Sequence, residues 1–424
     1  MQTFVVVILL FANAHCTGRN IAKMFSQDSF FHEQFIHFVQ QQERHWQNGG
    51  EELEFDRNAD LLRECSNIDR ATLEHVDNIA IGDIAYYTEL GDLSYYCEHN
   101  FTKLYQGDIE ECNHPGYDLP ISSLDKYLRI FNSNITIIPV PPSSNLTRQA
   151  QDFAEELQKR KDAKLKWKLV VIMLGHKDHV LGSQLEIGPT IMEAVQRLYS
   201  YERTFIVVAR IADATMWNNA RHAHKACQML LSESKNNNIL NEQESLIWTQ
   251  IASHLQSKQR KLFGVEILSL NATLDLIQST STTDLTAIGY DCYHLSAKGL
   301  SMFHTTIWNL ILTQDNLRSN QFRPRYQPPR CADPVCPFIR TRNNSALCNW
   351  NFPKTSRNGL KVEEWIAIGI FATAVTLCAI LLVALCCGRG RDQVVTEALK
   401  PVGADWSCIT RFIDEDSAGL NLSA

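Results

Sequence analysis

The chain has 424 residues, 45% of them hydrophobic and 21% charged, and a formal net charge of -7. That balance excludes a disordered polyelectrolyte and leaves no basic footprint for nucleic acid. The length supports one substantial domain with its own core, flanked by shorter segments.

At the N-terminus, Phe4 to Ala12 form a short apolar run, and Ala12-Asn13-Ala14 follow with small residues where a signal peptidase reads. The pattern predicts a secretory signal over 1–14, too short to span a bilayer. Residues 15–75 read as a helical extension packed on the main domain. Phe30, Phe31, Phe35, Phe38 and Val39 recur near helical spacing there, a face that would also suit a partner.

Over 76–315, short apolar strands alternate with helical patterns. Strands are expected at Asn78–Ile81, Ile135–Val140, Lys168–Leu174, Arg203–Ile211 and Gly264–Leu270. Gln149, Phe153 and Leu157 mark one face of a helix, and Ser296 caps another running through Leu300, Phe303, Ile307 and Leu310. Alternation of this kind implies an α/β fold, a parallel sheet with helices on both faces. Ligands in such folds sit beyond the C-terminal strand ends. Asp83, Ile84, Pro142, Gly175, Lys177 and Asp178 are all expected just past such ends.

Residues 316–362 are rich in Arg, Pro and Cys and read as a disulfide-held trailer and stalk. Trp365 to Cys387 is apolar and uncharged, preceded by Glu363 and Glu364 and followed by Arg389 and Arg391. It is long enough to cross about 30 Å of hydrocarbon, and the charge bias puts the large N-terminal part outside the cytosol. Residues 388–424 would form a cytoplasmic tail. The expected protein is a single-pass type I membrane protein of the cell surface or secretory pathway.

Cys65, Cys97, Cys112, Cys227, Cys292, Cys331, Cys336 and Cys348 form an even set in the lumenal part, joined by Cys16 only if cleavage leaves it behind. An oxidising compartment would pair them, with connectivity left open. Cys331 and Cys336 are near enough in sequence to close a small loop. Cys378 lies within the apolar segment. Cys386 and Cys387 lie at its inner edge, where S-acylation is open to them. Sequons for glycosylation occur at Asn100, Asn134, Asn145, Asn271 and Asn343, all on the lumenal side. Asn421 fits the tripeptide but would face the cytosol.

The chemistry concentrates in Asp291-Cys292-Tyr293-His294. A late Asp-x-x-His before a helix is how one large esterase class supplies a base and its orienter. The matching nucleophile is expected on an early Gly-Asp-Ser turn, and here Gly82-Asp83 is followed by Ile84. His176-x-x-His179 and His222-x-His224 lack an ordered acidic or thiolate partner and read as surface or core residues, so no metal and no cofactor is expected.

Thr283 through Gly299 and Ile307-Trp308-Asn309 resemble the signature of the Gly-Asp-Ser-Leu (SGNH) hydrolase superfamily in its membrane-associated phospholipase B branch. Trp167–Val170 leading to Gly175-His176-Lys177-Asp178, Leu119–Asn132, and Cys336-Pro337 with Arg342–Ser345 resemble further blocks, so the likeness spans about residues 70 to 350. It implies a flavodoxin-like three-layer sandwich and carboxylic ester hydrolysis. By resemblance His294 is the base and Asp291 its orienter, while Ile84 takes the nucleophile position, and Pro142 and Lys177 take the oxyanion positions.

Isoleucine has no lone pair with which to attack a carbonyl. Loss of a triad nucleophile costs on the order of 10⁶ in rate. Proline has no N–H to donate, and one oxyanion donor is worth roughly 3 kcal/mol at the transition state. The expectation is a pseudoenzyme that binds a phospholipid, an acyl chain or a protein partner, with Asp291 and His294 kept as a buried polar pair. An active phospholipase or lysophospholipase would need a displaced nucleophile, for which Ser94 in Gly91-Asp92-Leu93-Ser94 is the candidate. A cell-surface adhesion or receptor module is the third reading.

Overall fold

The computed structural model describes residues 17–48, 55–65, 75–118, 122–142, 145–175, 187–212, 214–231, 240–276, 282–348 and 373–384. The chain divides into two compact units, Met1–Trp350 and Asn351–Ala424.

Within the first unit, three helices come first: α1 (Thr17–Gln27), α2 (Ser29–Asn48) and α3 (Phe55–Arg63). Then follow β1 (Ile84–Leu90), β2 (Tyr95–Cys97), α4 (Phe101–Tyr105), β3 (His114–Pro115), α5 (Leu124–Phe131) and β4 (Thr136–Ile137). The middle of the domain comprises α6 (Leu146–Gln158), β5 (Trp167–Leu174), α7 (Ile187–Leu198), β6 (Thr204–Ile211), α8 (Thr215–Ala223), α9 (Lys225–Leu230) and α10 (Leu240–Ser257). It closes with β7 (Phe263–Ala272), β8 (Leu295–Ser296), α11 (Ala297–Ile311), β9 (Gln321–Phe322) and α12 (Arg342–Ala346).

Six strands form one sheet in the order β4-β1-β5-β6-β7-β9, and every neighbouring pair is parallel. With β9 set aside, the order is second-first-third-fourth-fifth, that of doubly wound flavodoxin-like sheets. Strand winding reverses between β1 and β5, so a crevice is expected beyond the C-terminal ends of those two strands.

The apolar runs behave as a sheet covered on both faces requires. In β5, Leu169, Val171 and Met173 join one core with α5, α8 and α11. Val170, Ile172 and Leu174 point the other way, into a core with α6, α7 and α10. Strand β6 alternates likewise, Phe205, Val207 and Ala209 against Ile206 and Val208. The result is a three-layer α/β sandwich.

The strand expected over Asn78–Ile81 is not a strand. Val76–Asn78 and Ile81–Asp83 are short 3₁₀ turns. They bury Val76, Ile79 and Ile81 under the sheet rather than in it. The first strand begins at Ile84, three residues after that expected strand was to have ended. Ile135–Val140 contributes only Thr136 and Ile137 as a strand. The expected strands at 168–174, 203–211 and 264–270 appear with ends shifted by a residue or two.

Helix α2 buries Phe31, Phe35, Phe38 and Val39 and exposes Phe30. The trailer also packs on the domain: Phe322, Phe338 and Ile339 are buried, and Arg318 pairs with Glu266 at 3.0 Å. Disulfides join Cys65 to Cys331, Cys97 to Cys112, Cys227 to Cys292 and Cys336 to Cys348. The small loop expected between Cys331 and Cys336 is therefore not closed by a bond between them. Cys331 instead ties the trailer to α3's end.

In the second unit, residues 373–384 are helical. Among the described residues no helix is long and apolar enough to cross a membrane. The remainder of the expected 365–387 segment and the signal at 1–14 lie outside the described residues.

Candidate functional site at the sheet switch point

The turn before α11 carries the Asp-x-x-His pair. Asp291 Oδ1 accepts the backbone N–H groups of Tyr293 at 3.0 Å and His294 at 2.9 Å. Its Oδ2 meets His294 Nδ1 at 2.6 Å. The i,i+3 spacing makes this possible, because the carboxylate caps the turn that presents the imidazole. Burial opposes ionisation of Asp291, but the His294 ring and the two N–H donors outweigh it and hold the carboxyl below its usual pKa.

The turn is held from several sides. Cys292 adopts φ 58°, an unfavourable backbone for a side chain with a Cβ, and its sulfur is bonded to Cys227 on α9. Gly289 N–H donates to His294 O at 2.7 Å. Trp217 Nε1 donates to Tyr293 O at 2.9 Å, and the Trp217 and Tyr293 rings stack with centroids 5.6 Å apart. Ser296 then caps α11, its hydroxyl accepting from Gly299 N–H at 3.1 Å. From α2, Gln42 Nε2 donates to the carbonyls of Leu285 and Ile288. Helix α2 thus braces the loop leading into this turn.

Strand β1 ends at Leu90, and the turn that follows is Gly91 and the 3₁₀ segment Asp92–Ser94. Gly91 has φ +103°, and a Cβ there would lie 2.1 Å from Met173 O on β5. Only glycine fits this close approach. Asp92 then links three elements: its Oδ1 accepts Gly175 N–H at 3.0 Å, just past β5, and its Oδ2 accepts the Tyr293 hydroxyl. Leu93 points the same way. A Cβ on Gly175 would meet Tyr293 Oη, Leu93 Cγ and Asp92 Oδ2. The β1 and β5 ends and the Asp291–His294 turn therefore converge on one place, the switch point.

Ile84 is not there. It is the first residue of β1, paired with Trp167 at the start of β5 and fully buried. It stands at the opposite end of the strand from Gly91. The expectation that it follows a strand-end Gly-Asp turn fails because Gly82-Asp83 precedes the strand. Pro142 is exposed, two residues beyond Val140, whose carbonyl accepts from Tyr95 Oη at 3.1 Å. Lys177, His176, Asp178 and His179 lie outside the described residues. Ser94 is 2% exposed, and its hydroxyl donates to Gly91 O at 2.7 Å. His222 is exposed while His224 is buried against His37, Nε2 to Nδ1 at 3.0 Å. Asn100, Asn134, Asn145 and Asn343 are exposed, and Asn271 is half-buried on β7.

Three features have weak sequence signals. Asp92 and Tyr293 meet across the fold, although Gly91-Asp92 is a second Gly-Asp pair visible in the chain. The Cys97–Cys112 disulfide lies against the Asp291–His294 pair: its sulfurs, an Asp291 oxygen and a His294 nitrogen are all within 4.8 Å of one another. Glu89 on β1 is buried, its carboxyl pushed up to about 8 by burial despite the Tyr87 hydroxyl bond. His304 Nε2 lies 3.6 Å from Glu89 Oε1, and burial lowers that imidazole to about 3.

Six parallel strands in this order, with polar groups gathered where the winding reverses, define a doubly wound α/β domain. The chain is 23% identical over 270 residues to membrane-associated phospholipase B1 of Homo sapiens, a match covering 55% of this chain and 18% of that protein. It is 24% identical over 233 residues to the Rattus norvegicus protein of the same name, covering 48% and 16%. The matches therefore span less than a fifth of those relatives' length. No family model and no solved structure matches the chain. The similarity supports a phospholipase-B-like relationship.

Proposed function

We propose that this chain is a phospholipase-B-like pseudoenzyme of SGNH type, a type I membrane glycoprotein whose lumenal domain binds lipid at the β1–β5 crevice without cleaving it. The observation that carries the reading is the turn closing β1. Gly91-Asp92 stands where an esterase of this kind places Gly-Asp before its nucleophile, and the next residue is Leu93. A leucine there leaves His294 with no hydroxyl to deprotonate. The neighbouring Ser94 has its hydroxyl turned back to Gly91 O and is buried away from solvent. Pro142, with no N–H, supports the same reading. So does the distant similarity to phospholipase B1, which points to a lipid-related origin.

The test uses the purified full chain in detergent or vesicles. A fluorophosphonate probe is expected not to label it, and no fatty acid is expected from phosphatidylcholine vesicles, while the chain still retains a lipid on extraction. Leu93→Ser is expected to acquire labelling that disappears again with His294→Ala. Labelling of the unaltered chain that depends on His294 overturns the proposal.

A second reading, an active phospholipase or lysophospholipase with a displaced nucleophile, is favoured by one observation: Asp291 and His294 keep the geometry of a working base and orienter. The same probe decides it, with Ser94→Ala locating the nucleophile.

A further inference from the structure

The Cys97–Cys112 disulfide lies beside the Asp291–His294 pair, and ester chemistry does not require it there. Cys97 ends β2, which pairs in parallel with β8, so that Cys97 lies opposite Ser296 and close to the turn bearing the pair. Cys112 returns from the loop 98–111. Cys97, Cys112 and Asp291 are buried, and the His294 side chain is 16% exposed. Two sulfurs, one imidazole nitrogen and one carboxylate oxygen gather within 4.8 Å of each other.

We propose that this cluster is a redox-gated zinc site, closed while Cys97 and Cys112 are bonded and open to one Zn²⁺ once they are reduced. Zinc in a four-ligand protein site takes thiolate at about 2.3 Å and nitrogen or oxygen at about 2.0–2.2 Å. A tetrahedron of those bond lengths sets its ligand atoms about 3.3–3.8 Å apart, so shifts on the order of 1 Å convert the cluster into a ligand shell. Two thiolates, an imidazole and a carboxylate are the donor set that zinc selects. Oxidised, the sulfurs carry no thiolate charge and the site is shut.

The chemistry balances. An external dithiol gives two electrons and two protons to the S–S bond and leaves as its own cyclic disulfide. Zinc then displaces the two thiol protons, and Asp291 exchanges its bond to His294 for one to the metal. The loop that the disulfide closes carries acidic side chains. A cavity of about 120 Å³ there is lined by Glu98, Asp108, Glu110, His114 and Tyr290, among others. Two of its lining residues neighbour ligands in sequence, Glu98 next to Cys97 and Tyr290 next to Asp291. The inference stands whether or not the domain cleaves esters.

The experiment measures Zn²⁺ binding by the full chain against a chromophoric chelator, before and after mild dithiol reduction, and maps the bound cysteines by alkylation. The expected result is no specific zinc when oxidised and one equivalent when reduced, with Cys97 and Cys112 alone protected from alkylation. His294→Ala and Asp291→Asn should each weaken binding at least tenfold. Zinc uptake equal in both redox states, protection at other cysteines, or unchanged affinity in His294→Ala overturns the proposal. Cys112→His provides an arm without reductant, because it frees Cys97 and leaves the other disulfides intact. It should bind Zn²⁺ or Co²⁺, the latter with a thiolate-to-cobalt absorption band that the double variant Cys97→Ala with Cys112→His lacks. A Cys112→His chain that binds neither metal also overturns it.

Discussion

Two turns meet at the switch point, and they are held by different means. The late turn, Gly289 to Ser296, is fixed by its own chemistry: a carboxylate cap, a disulfide to α9, and a tryptophan stacked on Tyr293 and bonded to its carbonyl. The early turn, Gly91 to Ser94, is fixed by backbone proximity, because β1 ends so close to β5 that no side chain fits at Gly91. The difference teaches why one is robust in form while the other could change its chemistry. A turn defined by a glycine tolerates Ser or Leu two positions on. A turn held at once by an Asp–His contact, a disulfide and a stacked tryptophan keeps its shape when one of them is lost.

Breaking the early turn should have the largest effect. Gly91→Ala forces a Cβ into Met173 O at a φ of +103°, where a β-carbon is strained even in open space. The expected cost is on the order of 4 kcal/mol, read as a drop in the denaturation midpoint. A cost below about 1 kcal/mol would mean that the two strands separate easily and that the crevice is not rigid.

The late turn should yield less sharply, since its supports are several. Trp217→Ala removes a fully buried ring and the Nε1 bond to Tyr293 O. A loss of about 3 kcal/mol, the low end for such a truncation because the other supports remain, is expected, while Trp217→Phe keeps most of the packing and should cost about half. Equal losses for the two would assign the effect to the hydrogen bond rather than to the ring.

The contrast also explains what the chain betrays before folding. Asp291 and His294 were legible because their partnership is local, three residues apart, and because Ser296 announces the helix that follows. Strands β5, β6 and β7 were legible from continuous apolar runs. Strand β1 was not, because Tyr86, Tyr87, Thr88 and Glu89 do not read as such a run. Gly82-Asp83 follows an apolar stretch and imitates a strand end, whereas Gly91-Asp92 is the pair that β5 selects by register. Leu93's place and the pairing of Cys65 with Cys331 are likewise set by contacts distant in sequence. The similarity to phospholipase B1 covers about half the chain and leaves this choice between two Gly-Asp pairs to the sheet.

Glu89 lies one residue inside the end of β1. Its folded pKa of about 8 exceeds the unfolded value of 4.5, so the folded state binds the extra proton. The stabilisation is full below pH 4.5 and fades as pH rises to about 8, with a limiting slope of about 1.4 kcal/mol per pH unit. His224, lowered by burial to about 4, acts oppositely: its contribution is present above pH 6.5 and lost as pH falls through 4. Glu89→Gln should flatten the alkaline-side loss and leave the acid limb unchanged in urea titrations at several pH values. An unaltered slope would show that Glu89 stays ionised in its pocket.

The smallest expected effect separates the two turns most cleanly. Ser94→Ala removes a neutral hydroxyl that donates to Gly91 O inside the early turn. Such a bond contributes about 1 kcal/mol net, and a somewhat larger loss is expected if Gly91 O is left without a donor. If Ser94 is only a brace, the variant should lose that stability and show the same absent fluorophosphonate labelling as the parent chain. If it were a displaced nucleophile, its removal would abolish a labelling already present, and the stability change would be incidental. Because His294 sits on the other turn, His294→Ala supplies the matching control. A hydroxyl activated by that imidazole must lose reactivity in both variants, whereas a hydroxyl that only closes the Gly91 turn responds to one.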